Sequence, residues 1–214
     1  MFCADGKSLN NQVEESRIMD TLLRLRWPNA CSPRFVACVL AFLITPMVAN
    51  AQQDDPPKTT EIKAADGRLT IQVPAAWERQ EPSIRMIEHE YQAAADEQDD
   101  APARMTMMMA GGTVKANLDR WISQFQMAAD GPKPKEESME VGGQKIHLID
   151  LQGTYLDRRG PFAPPTARED YRMLGAVVEV KGGGLFFVKF YGPQATIAKH
   201  APAFESMVKS IKAD

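Results

Sequence analysis

Three histidines, His89, His147 and His200, are the first place to look for catalysis or metal binding, because imidazole titrates near neutral pH and readily ligates metals. They stand far apart in the chain, and none has a second histidine at the spacing that sets two rings on one face of a helix or strand. His89-Glu90 opens like a zinc-protease signature, but Ala93 stands where the second ligand would be. No serine occupies a G-x-S-x-G turn, and no Gly-rich phosphate loop joins a strand to a helix. The residues therefore offer no catalytic set, no metal site and no cofactor. An enzyme reading would rest on His147 or His89 beside Glu88, Glu90 or Asp150, as a hydrolase or lyase.

Two further clusters carry donor atoms. Asp96, Glu97, Asp99 and Asp100 could hold calcium weakly, but they lack the alternation that wraps a loop around the ion, so a solvated connector is expected. Met105, Met107, Met108 and Met109 could offer thioethers to copper. Strand alternation sends Met108 away from the other three, which points to core packing. A weak calcium- or copper-binding protein is thus an alternative reading. The stretch from Asp157 to Arg168 is better suited to binding. It is a long Pro-containing loop between predicted strands, in which Arg158, Arg159 and Arg168 can grip a carboxylate or phosphate while Phe162 supplies an apolar anchor.

The chain that must position these residues has 214 residues, 44% hydrophobic and 25% charged, with a formal net charge of -3. That balance excludes a collagen-like chain, a disulfide-dense miniprotein, a multi-span membrane protein and a basic nucleic-acid binder. The first 51 residues read as a leader. Arg24, Arg26 and Arg34 precede the uncharged apolar run Phe35 to Val48, and Ala49-Asn50-Ala51 provides small residues for cleavage after Ala51. The run falls short of the roughly 20 residues a membrane span needs and contains Pro46. It also lies deep in the chain, so translation is expected to start near Met19. All 3 cysteines, Cys3, Cys31 and Cys38, belong to this leader. What remains is an exported, periplasmic or secreted, thiol-free chain with no membrane span, and neither disulfides nor a cysteine nucleophile are open to it.

Residues 52–66 are expected as a flexible linker and 67–214 as one domain. Leu69, Ile71 and Val73 alternate as in a strand ended by Pro74. Segments 86–93 and 104–110 follow as strands. Val114, Leu118, Trp121, Ile122 and Phe125 then recur at helical spacing after Thr113, a suitable cap. Segments 138–141 and 144–155 form a hairpin around Gly142-Gly143, and 171–180 and 185–191 a second. A terminal helix runs from Ala195 to Lys212. The class is α+β, with a single antiparallel sheet of about six to seven strands flanked by two main helices.

The segments Ile71-Gln72-Val73-Pro74-Ala75-Ala76-Trp77, Asn117 to Phe125, Phe186-Phe187-Val188-Lys189-Phe190-Tyr191-Gly192-Pro193 and Phe204 to Ile211 resemble uncharacterised exported bacterial proteins with the PsbP-like fold. That fold is shared with the PsbP subunit of the oxygen-evolving complex and a nuclear Ran-binding protein. The resemblance implies an antiparallel sheet flanked by helices and, since known members are mostly binding or assembly subunits, a non-enzymatic accessory module partnered with another envelope protein.

Overall fold

The computed structural model describes residues 57–82, 84–158 and 163–214. The leader, its cleavage point after Ala51 and the start at Met19 lie outside the described residues. So do Arg159 and Phe162.

The chain opens with β1 (Thr59–Ala64) and β2 (Leu69–Pro74), paired from Thr59↔Pro74 to Ala64↔Leu69. The first of these falls in the stretch expected as a linker. Only Ile62 and Ala64 of β1 turn inward, too sparse an apolar pattern to reveal a strand in the sequence. Then come β3 (Glu78–Gln80), β4 (His89–Ala93), β5 (Ala103–Ala110), α1 (Val114–Ile122), β6 (Phe125–Gln126), β7 (Lys135–Val141), β8 (Gln144–Asp157), β9 (Thr166–Glu179), β10 (Leu185–Pro193), α2 (Gln194–Lys209) and β11 (Lys212–Ala213).

Two helices and a mostly antiparallel set of strands agree with the expected class, but the strands divide into two sheets. One has three strands in the order β1-β2-β11; the other has eight, ordered β3-β4-β5-β10-β9-β8-β6 with β7 also on β8. The single sheet of six to seven strands is therefore too small a description. At 14 residues, β8 is long enough to pair with β7 along its first half and with β6 near its end. Strands β3, β6 and β11 are only two or three residues long, below the length at which alternation can be recognised. The terminal helix also stops early, at Lys209, where the Ser210 hydroxyl donates to the Met207 carbonyl. Ile211 is buried and the chain turns into β11.

Alternation along β10 builds both halves of the core. Phe186, Val188 and Phe190 face α2, which lays Ile197, Phe204, Met207 and Val208 over them. Phe190 stacks on Trp77 at 4.8 Å and on Phe204 at 5.7 Å. Met105 and Met107 are wholly buried on this side and Met108 packs on the other, as their spacing requires. Leu185 and Phe187 face α1, with Leu118, Trp121, Ile149, Leu151 and Val177. Thr113 caps α1, its hydroxyl accepting from the Ala116 amide at 3.2 Å. Trp121 enters above Gly175, where a Cβ would come within 2.6 Å of its ring. At nine residues α1 is about 13 Å long, so it covers only part of this face.

Among the described residues no helix is long and apolar enough to cross a membrane.

Candidate functional site

The part of the α1-side face that carries charged and hydroxylated side chains crosses β4, β5, β10, β9 and the end of β8. Arg104 pairs with Gln92 on one neighbouring strand and Tyr191 on the other, and Glu90 with Thr106, so their side chains share this face. A β-bulge shapes its far end. Gly153 faces Tyr171 and Tyr155 faces Arg168, leaving Thr154 opposite both Glu169 and Asp170. Asp170 takes a φ of 52°, an uncommon conformation for a non-glycine residue. Gly153 sits where a Cβ would come within 2.5 Å of the Gln126 carbonyl oxygen, so only glycine lets β6 close on β8 there. The bulge and β6 together set Tyr155 against Phe125 at 5.3 Å, Tyr171 at 6.1 Å and Tyr191 at 5.3 Å.

Lys189 lies beneath these rings, on the face that is otherwise apolar at Leu185 and Phe187. Its ammonium is 4.9 Å from the centre of Tyr155 and 4.8 Å from that of Tyr191. It donates to Gln124 Oε1 at 2.6 Å and to the Tyr155 hydroxyl at 3.3 Å. Burial, reinforced by the nearby Arg104 charge, lowers its pKa to about 7. Burial likewise pushes the Tyr155 and Tyr191 hydroxyls upward, so both stay protonated at neutral pH. Arg104 donates to Glu90 through two nitrogens at 2.6 and 2.9 Å and to the Tyr191 hydroxyl at 2.7 Å. The Glu90 bond raises the guanidinium further, keeping it charged at any working pH.

Two clefts open onto this arrangement. One, of about 250 Å³, is lined by Arg104, Tyr155, Asp157, Arg168, Tyr171 and Tyr191 among others. The second, of about 200 Å³, is lined by Gln80, Glu81, Glu90, Tyr91, Gln92 and Arg104. Gln92 and Arg104 line both, so the two clefts adjoin at these residues as the two parts of a trough. Of the loop residues expected to bind, Arg168 lines this trough, 3.7 Å from Asp157, while Arg158 is exposed just beyond β8.

The histidines stay apart. His89 meets the Lys63 carbonyl at 2.9 Å and Arg79 at 3.4 Å, and His200 lies against Trp77 and the Ala94 carbonyl. His147 joins Glu179 at 2.6 Å and Ser138 at 3.3 Å rather than Asp150, which holds Arg172 through two hydrogen bonds. The acidic connector has a structural task. Asp99 accepts from the Thr196 amide and hydroxyl, both at 2.6 Å, and so caps α2, whose preceding residue Pro193 makes no side-chain cap. Among the described residues no three His, Cys, Asp or Glu side chains gather as a metal-ligand group.

The trough is not visible in the sequence alone. Its one local signal was Lys189, a lone cation between Phe187 and Tyr191 on an apolar strand face. Arg104, Glu90 and Tyr155 lie on other strands, and only the pairing reveals their convergence.

No family model and no curated protein matches the sequence. Among solved structures the chain is similar to the PsbP protein CyanoP of Synechocystis sp. PCC 6803, with 8% identity over 78% of this chain and 99% of that one, at a TM-score of 0.47. It is also similar to LpqN of Mycobacterium tuberculosis, a protein involved in cell envelope biogenesis, with 15% identity over 77% and 95% of the two chains and a TM-score of 0.41. A third, the Ran-binding protein Mog1p of Saccharomyces cerevisiae, has 10% identity over 74% and 96%, with a TM-score of 0.44.

Proposed function

We propose that this protein is an exported, non-enzymatic binding or accessory module. Its contact surface is the open part of the α1-side face together with the 157–168 loop, and its partner is another envelope protein. The observation that carries the reading is the trough itself. A bulge beside Tyr155 and Tyr171 helps gather three tyrosine rings with Arg104 and Arg168 around one cleft, an assembly of polar and aromatic side chains on an open sheet face that suits a binding surface. Arg158 and Arg168 stand at the foot of the loop beside the trough, and Arg159 and Phe162 complete the proposed set in sequence.

Export rests on the basic, apolar and small-residue order of residues 24–51. Sequencing of the mature amino terminus is expected to begin at Gln52; a mature chain retaining Phe35 to Val48 would refute cleavage. The partner is tested by a photo-crosslinking amino acid at Arg158 in intact cells. One envelope protein captured there, and not from a matched position at Lys58, is the expected result. Equal labelling from both positions, or none from Arg158, would refute the surface.

A second reading has one observation in its favour. Ser138, His147 and Glu179 form a hydroxyl, imidazole and carboxylate series across three adjacent strands, consistent with a hydrolase using His147. Ser138 is exposed on β7, and none of the clefts described above is lined by these residues. Labelling of Ser138 by a fluorophosphonate would revive this reading, and an unlabelled protein would end it.

A further inference from the structure

We propose that the trough binds a neutral glycan, seated across β4, β5 and β10 against the rings of Tyr171 and Tyr191. The inference extends the binding-module reading to a ligand class and does not need the protein partner.

Charge is the first argument. Each cation in the trough already has a carboxylate beside it: Arg104 is held by Glu90 through two hydrogen bonds, and Arg168 lies 3.7 Å from Asp157. Glu81 adds a further carboxylate at the rim. Among the residues lining the two clefts, Arg104 and Arg168 are thus outweighed by Glu81, Glu90 and Asp157, which leaves no positive excess there to attract a phosphate or an acidic chain. What it offers is donors and acceptors side by side, the guanidinium and carboxylate of each pair together with the Gln92 amide. Neighbouring sugar hydroxyls, each able to donate and accept, match that alternation, whereas an anion can only accept.

The aromatic floor is the second argument. Tyr155 is buried, and Tyr171 stacks on it with the planes 9° apart while remaining partly exposed. Tyr191 is held by the Arg104 hydrogen bond at 2.7 Å and backed by Lys189. Rings fixed in this way present apolar faces to the C–H face of a pyranose without losing rotamer freedom on binding. Size is consistent as well. Clefts of about 250 and 200 Å³ that share Gln92 and Arg104 make an elongated site, suited to more than one sugar unit.

The test is an array of neutral oligosaccharides (maltohexaose, cellohexaose, chitohexaose and mannohexaose) alongside heparin and polygalacturonate, with hits followed by amide NMR titration of the full chain. The expected result is binding of at least one neutral oligosaccharide, with shifts at Gln92, Arg104 and Tyr171. Its affinity should change less than about twofold between about 50 and about 500 mM NaCl. Tyr171→Ala and Gln92→Ala are each expected to weaken it by about tenfold. Gln92→Ala, at a part-exposed strand position, covers the case in which Tyr171→Ala disturbs the fold. Binding confined to heparin or polygalacturonate and lost with salt would overturn the glycan assignment in favour of an anion site. So would the failure of every neutral oligosaccharide, or affinity indifferent to Gln92→Ala in a folded variant. Crosslinking at Arg158 would be unaffected by any of these outcomes, which keeps the partner and glycan readings separable.

Discussion

Replacing Lys189 by methionine should change how stability depends on pH, and the size of the change follows from the burial of one amine. In the folded protein Lys189 titrates at about 7, against 10.5 for a free lysine. Below pH 7 the amine is charged in both states, and the folded state bears the whole cost of holding an ammonium under two tyrosine rings. Between pH 7 and about 10.5 the folded amine is neutral while the unfolded one stays charged, so the unfolded chain binds the extra proton and stability rises with pH. Each pH unit of that window is worth about 1.36 kcal/mol, so from pH 6 to pH 9 this group alone adds roughly 2–3 kcal/mol. In Lys189→Met the contribution is absent. The absolute stability of the variant also reflects the loss of the Gln124 and Tyr155 hydrogen bonds, so the informative quantity is the difference between native and variant as a function of pH. Urea unfolding followed by tryptophan fluorescence at pH 6, 7, 8 and 9 measures it. The native protein should gain on the variant by roughly 2–3 kcal/mol across the series, with most of the gain above pH 7. A difference flat to within about 0.5 kcal/mol would show that the amine is solvated and the burial argument wrong.

Other substitutions probe the elements that hold the site. Asp99→Ala removes the distant cap on α2 and should cost about 1–2 kcal/mol in a thermal or urea melt, whereas Asp100→Ala, on the exposed part of the connector, should cost under about 0.5 kcal/mol. Gly175→Ala drives a methyl into Trp121 and should destabilise by about 2–3 kcal/mol, with an altered tryptophan emission as α1 shifts. Met107→Ala should cost about 2–5 kcal/mol while leaving copper affinity, measured by calorimetry, unchanged.

The class of fold was readable because its longer elements carry strong periodicity. Val114 to Ile122 with its Thr113 cap, and the two hairpins around Gly142-Gly143 and Lys181 to Gly184, emerge nearly as their spacing predicts. Phe125 fits the same helical series, yet it lies in β6 because the helix ends at Ser123 and the chain must then pair with Tyr155. The short strands and the division into two sheets are set by tertiary pairing, which local pattern does not encode. The site divides along the same line. Arg158 and Arg168 stand out in the sequence because loop chemistry is local, and the structure sets only Arg168 in the trough lining. Arg104, Tyr155, Tyr171 and Tyr191 do not stand out, and Glu90 does so only as a neighbour of His89, because each is an unremarkable polar or aromatic residue on its own strand until register brings them side by side. The acidic run at 96–100 shows the converse: a cluster conspicuous in sequence whose Asp99 serves a helix end nearly a hundred residues away.

The pairing of β11 with β2 bears on the order in which the protein can be assembled. Lys212 and Ala213 complete the small sheet against Thr70 and Leu69, and the Asp214 carboxylate accepts from Thr70 and Lys63. The β1-β2 hairpin, made early in synthesis, therefore keeps one edge unpaired until the end of the described chain is available. Contacts spanning nearly the whole domain favour slow closure after synthesis over stepwise folding during it.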